Sequence, residues 1–316
     1  KNTIFATMQK IKTILKLLVS VGGLIFVFSR VPFSDISKNW NLSVLPWLIP
    51  MLILTELGML IQANRWKKMS IEGPEIPYRS YYAYIALGYF FNNLLPGGFG
   101  GDVVKSVAFG KRYGQTSQSV ASILISRILG LLALFVCFFC AIPFLSLQKA
   151  IPSVYHVTMI CMCGLCIAAT VLCLFSDKFH LDIISKRVPF VAKLQNSLAI
   201  YRKHKGILFF AVMDSIWLQL ITIATNCLYF MAIGHPVSWA AVTVFSGIII
   251  IVSMIPISIN GIGIREGVQI SLYTGLLGIP ADIVLSAGLL GYILLLFQVC
   301  QGAVVFAIQK KHSKAG

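Results

Sequence analysis

Apolar residues collect in eight long stretches, near 11–29, 44–63, 79–95, 119–143, 154–175, 207–233, 237–255 and 282–308. Several reach the roughly 20 residues with which an α-helix crosses a bilayer. The polar stretches between them are too short for a soluble domain of ordinary size, so residues 1–316 read as a single transmembrane domain. Lys10, Lys12 and Lys16 ahead of the first stretch give it the look of a signal peptide, but no small-x-small cleavage site precedes Arg30, and a retained helix is expected.

Two stretches break in an unusual way. The third ends at Asn92-Asn93-Leu94-Leu95-Pro96-Gly97-Gly98-Phe99-Gly100-Gly101-Asp102, with Lys105 close behind. The seventh ends at Ile255-Pro256-Ile257-Ser258-Ile259-Asn260-Gly261-Ile262-Gly263-Ile264-Arg265-Glu266-Gly267. Proline and glycine open the helical hydrogen-bond ladder, and bare backbone at membrane depth is tolerated only inside protein or against a wet cavity. Interrupted segments at corresponding places in two halves of a membrane chain point to a transport site. Pro96, Gly97, Gly98, Gly100 and Gly101 would form one elbow (92–102), and Pro256, Gly261 and Gly263 the other (255–267).

Composition fits the bilayer reading, with 58% hydrophobic residues, 11% charged and a mean hydropathy of +0.86. A net charge of +16 would suit a nucleic-acid binder, but its distribution suits a membrane protein. Basic residues concentrate before residue 17, at Arg65–Arg79, at 105–112, at 176–206 and after 308. Such loops belong on the cytoplasmic side. If all eight stretches crossed fully, 105–112 and 176–206 would fall outside. They return inside if the third stretch dips in, breaks at its elbow and comes back along 102–111. A mirror-image dip at 237–255, returning along 262–279, then leaves Lys310 and Lys311 inside.

The expected fold is therefore an all-α polytopic membrane protein. It has about six full transmembrane helices plus two oppositely oriented re-entrant broken hairpins, arranged as an inverted repeat. The first half is 1–143 and the second 154–309. Residues 176–206, where Phe179, Leu181, Ile183 and Leu194 alternate with Lys178, Lys186, Arg187 and Lys193, form an amphipathic cytoplasmic connector against anionic lipid, or a plain loop.

Ionisable residues at membrane depth mark function unless they are paired. Glu56, Asp102, Lys105, Arg127, Asp214, Arg265 and Glu266 qualify. Arg127 lies too deep to snorkel and needs a carboxylate or a bound anion, with Asp102 and Glu266 as candidate partners. Asp102 either caps the half-helix after the glycines or meets substrate; Lys105 either answers Asp102 or faces headgroups. Arg265 and Glu266 can neutralise one another, and Glu56 and Asp214 read as structural hydrogen-bonding groups. Asn92, Asn93, Ser258 and Asn260 can serve opened backbone or a polar headgroup.

All eight cysteines fall in apolar stretches and read as buried small hydrophobes, and Cys161, Cys163 and Cys166 lack the second ligand pair and polar support of a zinc site. The five histidines lie at stretch ends or beyond, and no hydrolase or metalloprotease motif occurs, which argues against catalysis. No metal, cofactor or nucleic acid is expected.

Leu94-Leu95-Pro96-Gly97-Gly98-Phe99-Gly100-Gly101-Asp102, then Ser126-Arg127, then Pro256 with Gly261-Ile262-Gly263-Ile264-Arg265-Glu266-Gly267 resemble the lysylphosphatidylglycerol synthase/flippase transmembrane family over nearly the whole chain. That resemblance implies movement of lipid between leaflets: aminoacylated phosphatidylglycerol in bifunctional members, hopanoids or glycolipids in relatives. Asp102, Arg127, Arg265 and Glu266 match the family's charged positions, while Lys105 stands where members often carry Arg. No stretch of 1–316 matches the cytosolic aminoacyl-transferase domain, so synthesis of lysyl-lipid is not expected.

The expectation is a flippase-like transporter of a bacterial cytoplasmic membrane, both termini cytoplasmic, moving an anionic or glycosylated phospholipid. Arg127 would take the headgroup phosphate with help from Lys105 and Arg265, and Asp102 and Glu266 would hold the cations or exchange protons. Rival readings are a secondary transporter of a small soluble anion, a membrane-embedded transferase using a lipid-linked donor, and a non-transporting scaffold. A homo-oligomer is compatible with the glycine-rich runs, as is packing within one chain.

Overall fold

The computed structural model describes residues 36, 38–71, 74–94, 100–145, 152–175, 178, 189–254 and 261–315. The first apolar stretch, Pro96, Gly97, Gly98, Pro256, Ser258, Asn260 and most of 176–188 lie outside the described residues. Among those described, all regular structure is helical. Ten α-helices follow in order: α1 Leu45–Met69, α2 Tyr78–Leu94, α3 Gly100–Tyr113, α4 Thr116–Ala141, α5 Ser153–Leu174, α6 Pro189–Lys203, α7 Lys205–Ala232, α8 Trp239–Ser253, α9 Ile264–Leu277 and α10 Ala281–Ala315.

Five of them, α1, α4, α5, α7 and α10, are long and apolar enough to cross a membrane, and the protein is a multi-pass membrane protein. Their outward faces are apolar. On α1 the exposed residues Leu45, Ile49, Ile53, Leu57 and Leu60 recur every three to four positions and make one stripe. The opposite face carries Thr55, Gly58, Gln62 and Arg65 at the same spacing, turned to the interior. Three cysteines expected to be buried, Cys140, Cys161 and Cys300, are exposed, and only Cys166 is buried. The apolar outside of a membrane protein suits a small hydrophobe as well as its core does.

The broken stretches fold as two antiparallel helical hairpins, α2–α3 and α8–α9. In the first, the Tyr113 hydroxyl donates to Ser80 Oγ at one end (2.9 Å), and at the other the Gly101 N–H donates to Asn92 Oδ1 (2.8 Å). A side chain at Gly101 would put its Cβ 2.0 Å from the Gly88 carbonyl oxygen, so this crossing admits no residue larger than glycine. The arms are short. α3 and α9 have 14 residues each, about 21 Å at 1.5 Å per residue, against about 30 Å of hydrocarbon.

Each hairpin sits between two long helices, giving the succession α1, α2–α3, α4 and again α7, α8–α9, α10. The two units pack crosswise: α2 lies along α10, α8 along α4, and α1 along α7. At the α2–α10 seam a Cβ on Gly302 would fall 2.2 Å from the Ala86 carbonyl oxygen, so the helices touch backbone to backbone.

A single shift of 164 positions, the one that carries 66 to 230, relates the units. Trp66 and Phe109 hold their ring centroids 4.7 Å apart, as do Phe230 and Tyr273. Tyr81 lies 4.9 Å from Phe109, and Phe245 lies 4.9 Å from Tyr273, though with a steeper angle between the rings. Ser122 and Ser286, related by the same shift, are both fully buried. Gly114 and Gly278, which end α3 and α9, both take positive φ, at 71° and 69°.

Candidate functional site

A cavity of about 780 Å³ occupies the middle of the bundle, within the size range of small-molecule sites. All the described helices except α5 and α6 line it. Of the residues singled out in the sequence, Asn92, Asn93, Asp102, Lys105, Arg127 and Arg265 line its wall. Glu266 does not.

Asp102 is the centre of the first cluster. It is the third residue of α3 and is buried. The Arg127 Nε–H, arriving from α4, donates to Asp102 Oδ2, and Nη2 of the same guanidinium pairs with that oxygen. Lys105 Nζ, one turn along α3, stands 2.7 Å from Oδ1, an ion-pair contact off the hydrogen-bond axis. Lys105 also lies 5.9 Å from the centre of the Trp66 ring. Asn92 supplies the acceptor for the open N–H of Gly101, so Asp102 is spent on cations rather than on capping. Asn93 donates to the Tyr89 carbonyl (2.9 Å).

The second cluster is built around Glu266, the third residue of α9. Its Oε2 accepts the N–H of Gly263 (2.7 Å), closing the start of the helix. Its Oε1 accepts from the Tyr292 hydroxyl (2.7 Å) and from Arg265 Nε (3.1 Å). The Arg265 guanidinium lies over the Tyr292 ring, 4.5 Å from its centre. Of the two acids considered as partners for Arg127, the structure therefore pairs it with Asp102, and Glu266 serves its own helix. Gly261 and Gly263 both take positive φ, and the Gly261 carbonyl accepts from the Arg265 N–H (2.7 Å).

Glu56 and Asp214 hold the structural roles read for them. Glu56 accepts from the Tyr82 hydroxyl (2.6 Å) and Gln301 Nε2 (2.9 Å), and Asp214 pairs with Lys68 (3.2 Å). Neither lines the cavity.

Arg65 is the charged cavity residue, among those described, that sequence reasoning missed; the neutral Tyr229 and Gln269 of the wall were not singled out either. Counted in the sequence with loop cations because the apolar stretch stops near 63, Arg65 lies on α1, which continues to Met69. Its Nη1 donates to Ser215 Oγ (2.7 Å), and it lines the cavity. The recurrence of Thr55, Gly58, Gln62 and Arg65 along one helix face was a readable signal. Among the described residues the charged side chains of the wall are thus Arg65, Lys105, Arg127 and Arg265 against Asp102. The described residues bring no three His, Cys, Asp or Glu side chains together as a metal would need.

The profile of a family described as the lysylphosphatidylglycerol synthase TM region matches residues 13–302. No curated protein and no solved structure matches the chain.

Proposed function

Since the chain belongs to the lysylphosphatidylglycerol synthase transmembrane family, we propose that it is a flippase-like transporter, not an enzyme, which moves an anionic or glycosylated phospholipid between leaflets. The observation that carries this reading is the shared cavity, walled by both hairpins, where Arg65, Lys105 and Arg127 face the single carboxylate of Asp102 among its described residues, Arg265 being paired with Glu266. Excess positive charge at membrane depth is costly until an anion arrives, so such a cavity favours a phosphate-bearing headgroup. Acyl chains can remain in lipid while the headgroup passes.

The topology proposed with it has the hairpins re-entrant and opposed, as an inverted repeat. Arms of about 21 Å stop short of crossing about 30 Å of hydrocarbon. The base of the first hairpin is basic, with Arg79 at the start of α2 and Lys111 and Arg112 in the last turn of α3. The base of the second, at Trp239 and Gly278, carries no Lys or Arg. Opposite sides of a cytoplasmic membrane account for that difference, with the basic side and both termini inside. The last turn of α6, with Arg202 and Lys203, would face anionic lipid there.

The test is leaflet exchange in sealed proteoliposomes with labelled phosphatidylglycerol, an aminoacylated lipid and a polyprenyl-phosphate lipid. Wild type should exchange one of them, and folded Arg127→Ala and Asp102→Asn variants should not. No exchange of any lipid, with or without a proton gradient, would overturn the reading in favour of a soluble-anion carrier or a transferase.

A further inference from the structure

The shift that relates the two halves also exposes an asymmetry in the cavity wall. Arg65 is matched by Tyr229, Lys105 by Gln269 and Arg127 by Gly291, and all six positions line the cavity. At every match the first half carries a cation and the second does not. We propose that the cavity is a two-part headgroup site: Arg65, Lys105 and Arg127 take a phosphate, and Gln269 with Tyr229 takes a hydroxylated group esterified to it. The proposal deepens the lipid reading above and rests on it.

The first part is a phosphate site by its charge. Lys105 and Arg127 share one carboxylate, Asp102, and Arg65 lies on the same wall with its hydrogen bond to Ser215; Asp102 is the one acid of that wall among the described residues, so the cluster keeps a positive excess. A phosphate meets it with charge and with several acceptor oxygens at once. Arg65 gives Nη1 to Ser215, and its fork carries further N–H donors; Lys105 has three donors. Arg265, the cation of the second half, does not add to this excess, since Glu266 neutralises it at 3.1 Å and Tyr292 covers its plane.

The second part is neutral but polar. The Tyr229 ring fills the space beside Gly291, its hydroxyl 3.5 Å from where a Cβ would stand, so a phenol occupies the place matched to Arg127. The Gln269 amide oxygen has no hydrogen-bond donor, so turning that amide toward a ligand breaks no bond at the oxygen. An ionised phosphate offers it no proton, whereas an alcohol does. A cationic aminoacyl group also has N–H donors, but it would need a counter-charge on this side. The acid there, Glu266, is off the cavity wall and already serves Gly263, Arg265 and Tyr292. The wall therefore selects a phosphate ester of a polyol or sugar over a bare phosphate and over an aminoacylated headgroup.

The chemistry is shared by a lipid such as phosphatidylglycerol and by soluble glycerol 3-phosphate, so both are tested. Binding to the protein in phosphatidylcholine nanodiscs would be measured for phosphatidic acid, phosphatidylglycerol and lysylphosphatidylglycerol, with glycerol 3-phosphate as competitor. Arg65→Gln should weaken phosphatidic acid and phosphatidylglycerol alike by about tenfold or more, the loss of a charged hydrogen bond. Arg65→Lys, which keeps the charge, should cost less and stands in if Arg65→Gln does not fold. Gln269→Met and Tyr229→Phe should weaken phosphatidylglycerol by about three- to tenfold and leave phosphatidic acid unchanged. Equal effects of Gln269→Met on both lipids, or tighter binding of lysylphosphatidylglycerol than of phosphatidylglycerol, would overturn the two-part site with lipid transport intact. Binding of glycerol 3-phosphate alone, split between the same residues, would keep the two-part chemistry and overturn the lipid reading. No binding of any of the four would overturn both.

Discussion

The two hairpins carry an acid at the same place, third in the returning helix, and each acid reaches the long helix that follows. Asp102 meets Arg127 of α4, and Glu266 meets Tyr292 of α10. From there they differ. In the first hairpin a side chain of α2, Asn92, closes the open end of α3, and the acid is left to gather Lys105 and Arg127 at the cavity wall. In the second the acid itself closes α9, by accepting from Gly263. One acid organises charge where a ligand can reach it; the other stabilises the elbow and keeps off the wall. Two hairpins of like build can thus separate holding their own backbone from placing charge on a cavity wall, by moving the capping task from one residue to another.

Four predictions would sharpen or break this contrast, each read as unfolding free energy in detergent micelles. The largest effect is expected from Asp102→Asn, which leaves Lys105 buried beside Arg127 without their counter-charge. A cost of about 3 kcal/mol is expected, the low end for a broken buried pair because half of the Arg127 side chain is exposed. Lys105→Met on that background should restore part of it. Gly101→Ala comes next, at about 2–3 kcal/mol, since the new Cβ meets the Gly88 carbonyl and backbone cannot step aside. The matched position in the second hairpin already carries the full side chain of Arg265, so the constraint is private to the first. Glu266→Gln should cost only about 1–2 kcal/mol, because an amide oxygen still accepts from Gly263. A loss as large as that for Asp102→Asn would erase the contrast. Smallest of all, Phe109→Leu and Tyr273→Leu should differ from one another by less than about 1 kcal/mol, since the rings keep the same distances from their matched neighbours.

Much of this was legible in the chain, for physical reasons. Proline and glycine clusters cannot continue a helix in lipid, so the elbows at 92–102 and 255–267 stood out, and α3 and α9 begin inside them, at Gly100 and Ile264. Deep charge demands a partner, so Asp102 was a candidate for Arg127. Arg65 was hidden because hydropathy averages over a window and ends the apolar stretch before the helix ends, while a polar face needs only every third or fourth residue. The proposed repeat was announced by the two breaks but only weakly by identity, since Ser122 with Ser286 and Gly114 with Gly278 are shared while many matched positions agree in shape and role alone. Trp66 answers Phe230, Phe109 answers Tyr273 and Asp102 answers Glu266, and no residue is shared by any of these pairs. The division of labour between the acids was also beyond reach, since it depends on whether Asn92 meets Gly101 across the hairpin.

The contact of Gly302 with Ala86 limits how such a molecule can move. The seam is closed by backbone contact at Gly302 and braced beside it by Phe90 and Phe91 packed on Phe306, so α2 and α10 are held together closely and are suited to be the pin of a hinge. The returning arms α3 and α9 are the freer pieces: each packs chiefly on helices of its own half, α3 on α2 and α4, α9 on α8 and α10. Under the transport proposed above, these two arms would be the doors, swinging about a fixed post, and the cavity wall each one carries would travel with it.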